Sequence, residues 1–137
     1  MFAQDVQATP IRGQSVFQQI NAIREANKLP ALKPSQTLVQ AAQAKADALA
    51  NSGLFSHRNA NGKGNMWDYI PSGSKYTAAG ENLAKGFSTT ESLSSAWVNS
   101  KAHKANILDP SFTETGIAIS KGKNGQLYVV QYFGSKR

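Results

Sequence analysis

A chain of 137 residues, 40% of them hydrophobic, is the size of one ordinary domain and too apolar to be a disordered chain. The lack of cysteine removes disulfides, thiolate chemistry and zinc–thiolate sites, and no run of ~18 apolar residues is present to cross a membrane. Fifteen Lys+Arg against eight Asp+Glu give a net charge of +7, but Arg24, Lys45, Lys63, Lys85, Lys101 and Lys121 stand singly, which predicts a plain basic surface and no nucleic-acid partner.

Residues 1–10 are polar, end in Pro10 and read as a flexible arm; residues 11–137 read as a single domain. The opening Met1–Asp5 segment lacks the basic and apolar regions of a secretory signal. A first helix starts at Gly13 or Ser15 and carries Val16, Phe17, Ile20, Ile23 and Ala26 on one face. Asn27–Pro30 ends it. Ser35 is the expected N-cap of a second, alanine-rich helix with Leu38, Ala41, Ala42, Lys45, Ala46 and Leu49 on its face, closed by Asn51-Ser52-Gly53. Residues 54–65 are loop, Met66–Ile70 one or two helical turns, and Gly80–Ala84 a short strand. Ser88-Thr89-Thr90-Glu91 reads as a capping box before a helix with Leu93, Ala96 and Trp97 buried. Ser100 is the expected cap of a short helix over Lys101–Leu108, stopped by Asp109-Pro110. Gly116–Ser120 and Leu127–Phe133 then form a hairpin around Lys123-Asn124-Gly125. The sum predicts an α+β layer fold around an antiparallel sheet.

Three residues stand out chemically. His57 and His103 are the two histidines, each in a loop or at a helix start, and Glu81 is an acid inside an apolar segment. A carboxylate there requires a partner, because desolvating it alone costs several kcal/mol. Imidazole suits, and the pair would hold the ring's tautomer. Taken singly, each has a plainer reading: a turn histidine, a surface acid. Asn82 and Asn106 suit backbone-satisfying roles near the cleft, and Trp97 suits the core.

The ordered segments Ser56-His57, Gly80-Glu81-Asn82-Leu83-Ala84, Trp97 to Leu108, Phe112 to Ala118 and Val130 to Gly134 resemble the successive signatures of the CAP superfamily, in its bacterial SCP-domain branch. Asn21-Ala22-Ile23-Arg24 and Pro30-Ala31-Leu32 fit its first helix and following turn. The resemblance implies a three-layer α/β/α sandwich with a central antiparallel sheet. It also implies a cleft holding His57, His103 and Glu81. The second acid of many relatives would follow Trp97 by three residues, where Ser100 stands. It further implies a secreted or periplasmic protein whose signal has been removed.

Three functions compete. The first is a non-catalytic, monomeric module binding a small amphipathic, lipid-like ligand or a cell-envelope component, with Trp67, Tyr69 and Asn82 lining the site. The second is zinc binding by His57 and His103, with water and Glu81 completing the shell. The third is a hydrolase. It would use Ser100 with His103 and Glu81, or the histidines and Glu81 as acid and base. No nucleophile elbow or glycine-built oxyanion hole surrounds Ser100, so the binding module is the expected function.

Overall fold

The computed structural model describes residues 8–58 and 65–136. The expectations for residues 1–7 and for 59–64, the latter holding Gly62, Lys63 and Gly64, lie outside the described residues. The elements are α1 (Gly13–Ala26), β1 (Lys33–Pro34), α2 (Gln36–Ser52), 3-10 turns at Met66–Asp68 and Ser72–Ser74, β2 (Tyr76–Lys85), α3 (Thr90–Val98), α4 (Lys101–Ile107), β3 (Glu114–Lys121) and β4 (Leu127–Lys136).

The sheet order is β1-β3-β4-β2, so β2 and the two-residue β1 form the edges. The three long strands are antiparallel; β1 pairs with β3 in parallel, which makes the sheet mixed. β4 is central and buried on both faces. Its Tyr128, Val130 and Tyr132 pack with Leu38, Ala42, Ala46 and Leu49 of α2. The alternate residues Val129 and Phe133 pack with Val16, Ile20, Leu93, Trp97 and Ile107 from α1, α3 and α4. The period-two alternation of a strand therefore feeds two cores, and the result is the three-layer α/β/α sandwich.

Local chemistry sets the helix ends. Ser35 Oγ accepts from Leu38 N at 3.1 Å, and Gly53, at φ 69, closes α2 in the left-handed region that glycine adopts freely. The hairpin loop is five residues long, with Gly122 N–H bonded to Gln126 O and Gly125 at φ 82. β2 is twice as long as its apolar segment: Tyr76 to Ala79 join because they pair with β4 as far as Lys136.

Two expectations are corrected. Ser88 does not cap α3; Thr89 does, accepting from Ser92 N at 3.2 Å. Glu91 instead accepts from Thr9 N at 2.8 Å, while Thr90 N donates to Thr9 O at 2.8 Å. The last residues of the arm are thus pinned across α3, and this long-range partner displaces the local capping box. Nor do Arg24 and Lys45 belong to the basic surface: each is 1% exposed.

The Thr9 amide holds the Glu91 carboxyl below its ordinary value. A depressed folded-state value means that the contact stabilises above the unfolded carboxylate range and is lost as pH falls through the folded one. Hydrogen exchange at the Thr9 amide is accordingly expected to stay slow near neutrality and to rise on acidification below the usual glutamate range. Exchange independent of pH, after correction for intrinsic rates, would contradict this tether.

Candidate functional site

The site lies at the outer edge of β2. Along this strand side chains alternate: Leu83 joins the α2-side core and Ala84 the other. Glu81 therefore projects toward α2 and Asn82 toward α4. The Glu81 side chain is 4% exposed, and its Oε1 lies 2.6 Å from His57 Nδ1. The His57 side chain is 62% exposed. An ionised carboxylate only accepts, so Nδ1 carries the hydrogen of this bond and Nε2 is the ring nitrogen left for another partner.

Behind this pair sits Lys45 of α2. Its Nζ donates to the carbonyls of His57 at 3.2 Å and Arg58 at 3.3 Å, and lies 5.8 Å from the Tyr69 ring centroid. Burial pushes its ammonium down from the ordinary lysine value, with Glu81 opposing. Tyr132 pairs directly with Glu81 across β4. Glu81 Oε2 and Tyr132 Oη are both buried and lack a well-formed hydrogen bond among the described residues. Burial, then Glu81, pushes the Tyr132 phenol up.

The far side is built by α4. Asn82, fully buried, donates to His103 O at 3.1 Å. Asn106 donates to Asn82 Oδ1 at 2.9 Å and to Glu81 O at 3.2 Å. These amides tie α4 to β2, and Gly80 leaves room for them: a Cβ there would stand 2.9 Å from Asn106 Oδ1. His103 stacks near Trp97 at 6.2 Å, and its Nδ1 lies 2.7 Å from Ser100 Oγ. Burial, then the charge of His57, pushes its imidazole down. Ser100 occupies the N-cap position of α4 but makes no side-chain cap, because its hydroxyl is taken by His103.

His57 and Glu81 therefore touch, whereas the His103 ring faces Ser100 and Trp97 and only its backbone carbonyl joins the network through Asn82; neither His103 nor Ser100 lines the hollow that holds the pair. Among the described residues, a hollow of about 350 Å³ is lined by His57, Asn65, Met66, Ala79, Gly80, Glu81 and Asn106. Depressions of about 440 and 400 Å³ lie elsewhere, at the hairpin end and beside α1, and neither contains a histidine or carboxylate. Trp67, 42% exposed, and the half-buried Tyr69 are not in the hollow's lining, and Asn82 is too deep to reach it. Met66 and Asn65 stand there instead. The apolar run Met66, Trp67, Tyr69, Ile70 and Tyr76 marked that loop as a candidate wall, and Met66 is its member in the lining; Asn65 carried no such signal, because the course of the loop decides it. Lys45 was also missed as part of the site, although its place on an apolar stripe was visible.

Residues 17–133 match the cysteine-rich secretory protein family, CAP. The chain belongs to that family. The CAP domain is 35% identical over 120 residues to YkwD, an uncharacterised Bacillus subtilis protein, covering 87% of this chain and 46% of YkwD. It superposes on an extracellular SCP-domain protein of Bacillus anthracis with a TM-score of 0.81 and 27% identity, over 90% of this chain and 40% of the other. An outer surface protein of Borrelia burgdorferi has the same fold, with a TM-score of 0.80 and 20% identity over 96% of this chain and all of that one. This CAP domain spans less than half the length of the two Bacillus relatives.

Proposed function

We propose that this CAP domain is a secreted, non-catalytic binding module that takes a small amphipathic ligand, or a polar group of a cell-envelope component, at the edge of β2. The observation that carries this reading is the His57–Glu81 pair, in which a buried carboxylate holds Nδ1 of an exposed imidazole that lines the hollow with Met66 and leaves Nε2 as the acceptor for a ligand. Met66, Ala79 and Gly80 give an apolar floor; His57, Asn65 and Asn106 give the polar rim. A volume of about 350 Å³ lies at the small end of ligand pockets and suits a single ring or a head group rather than a whole lipid. The reading favours ligands that present an N–H or O–H donor. Saturation-transfer NMR against short-chain lipids and N-acetylated sugars tests it. A binder is expected to perturb the Met66 methyl resonance, and His57→Ala should weaken it by about tenfold, the value of one buried hydrogen bond. Affinity untouched by His57→Ala would remove the hollow from the function.

A second reading is zinc binding, favoured by one observation: both imidazoles have Nδ1 engaged, His57 by a carboxylate and His103 by a hydroxyl. Hydrogen bonds of this kind orient histidine ligands of metals. No group of three or more His, Cys, Asp or Glu side chains forms a metal-ligand set among the described residues. His57 and His103 would hold the ion, and Glu81, already used by His57, would orient rather than ligate. Bound zinc would supply Lewis acidity and a more acidic water. Calorimetry with zinc is expected to give heat lost in the His57→Ala/His103→Ala protein; equal heats from the two proteins would end this reading.

A further inference from the structure

Lys45 is the buried charge nearest the His57–Glu81 pair, and neither reading uses it. It lies on the apolar stripe of α2, flanked by Ala41, Ala42, Ala46 and Leu49, and is 1% exposed. An ammonium there has lost its water and must be matched by acceptors and by opposite charge. The acceptors are the His57 and Arg58 carbonyls. The opposite charge is Glu81, the buried acid one step away through His57. A closed circuit results: α2 holds the His57 backbone, and β2 holds the His57 ring.

We propose that Lys45 is the positioning residue of the site, fixing the His57 backbone from α2 while its charge balances the Glu81 carboxylate that orients the ring. The other groups facing this cluster are the Tyr69 ring, Tyr132 across β4, Asp68 beside Tyr69, and Arg58, whose carbonyl Lys45 holds. None of these supplies a second buried cation, so Glu81 without Lys45 would be a buried acid whose one bonded side chain is the exposed His57 ring. The proposal rests on the reading that His57 is the recognition group, yet its test requires no ligand.

The test is a double-mutant cycle in thermal unfolding with Lys45→Met, Glu81→Gln and the double variant. Each single variant leaves the other charge buried and uncompensated and is expected to melt roughly 10–20 °C below wild type. The double variant removes both charges and is expected to melt no lower than the worse single. Loss of the carbonyl contacts is common to both Lys45 variants and cancels in the cycle. A double variant that falls by the sum of the singles would overturn the charge coupling. If Lys45→Met does not fold, Lys45→Gln, which keeps an amide donor, replaces it in the same cycle with the same two outcomes. As a second readout, ¹⁵N NMR of neutral His57 is expected to show hydrogen on Nδ1 in wild type and a shifted tautomer in the Lys45 variant. A ring signature identical in both would show that Lys45 merely fills space. Failure of the cycle leaves ligand binding at His57 standing, and failure of binding leaves the cycle standing.

Discussion

Replacing Arg24 with methionine is expected to lower the unfolding free energy by about 3–5 kcal/mol, the range for breaking a buried, hydrogen-bonded charge. Arg24 is 1% exposed and donates to four backbone carbonyls: Pro30 at 3.0 Å, Ile107 at 2.8 Å, Asp109 at 3.0 Å and Phe112 at 3.3 Å. Burial pushes the guanidinium down from its ordinary value and the charge of Asp109 opposes this, but arginine stays charged regardless. Those four acceptors lie after α1, at the end of α4 and in the turn leading to β3. One planar fork thus ties the turn after α1 to the continuous stretch 107–112 that runs from the end of α4 toward β3. Methionine fills much of the volume but satisfies none of the carbonyls, and each buried acceptor left alone costs about 1–3 kcal/mol. The melting temperature should fall by roughly 10–20 °C for a chain of this size. Arg24→Lys should recover only part, because a single ammonium cannot span four acceptors placed around a planar fork. Urea and thermal unfolding followed by circular dichroism read both variants. Wild-type stability in Arg24→Lys would show that charge alone, not the fork, holds the turn. Because α4 carries Ser100 and His103, slackening at Ile107 should also reach the site.

The same residue shows where sequence reading reaches and where it stops. Val16 and Ile20 recur at helical spacing, and that period placed α1 correctly. Arg24 lies four residues further on the same stripe, as Lys45 does on the stripe of α2. Charge argued for the surface in both cases and position argued for the core; position was right, because backbone carbonyls beyond the helix supply partners that no local pattern reveals. The Ser35 cap, the Gly53 stop and the hairpin were legible because each depends on residues a few places apart. β1 and the first half of β2 were not legible: Lys33-Pro34 and Tyr76–Ala79 become strands only by pairing with β3 and β4. At the site, the ordered motifs named His57, Glu81 and His103. They did not reveal that Ser100 spends its hydroxyl on His103, or that Met66 rather than Trp67 lies in the hollow, since both depend on how a loop and a short helix turn in space.

Gly116→Ala is the second large loss expected, and its cause is space rather than backbone conformation. A Cβ on Gly116 would stand 2.2 Å from Val39 N and 2.3 Å from Leu38 C. Both are backbone atoms of α2, so no rotamer change relieves the overlap; the helix must lift from β3. Overpacking of this kind costs about 1–3 kcal/mol, and a clash with main chain belongs at the upper end. Gly125 is the matched control. It needs φ 82, yet a Cβ there meets nothing within 4 Å, so Gly125→Ala costs only the left-handed strain of roughly 1–2 kcal/mol. Gly116→Ala should therefore melt well below Gly125→Ala in the same buffer. The damage should also travel. Lys45 lies seven residues beyond Leu38 on α2, about 10 Å along the helix. A helix lifted at Leu38 draws the ammonium away from the His57 and Arg58 carbonyls. Hydrogen exchange across residues 56–58 is expected to quicken in Gly116→Ala and to stay unchanged in Gly125→Ala. Equal exchange in the two variants would mean that the seat of α2 on β3 and the position of His57 are independent of each other.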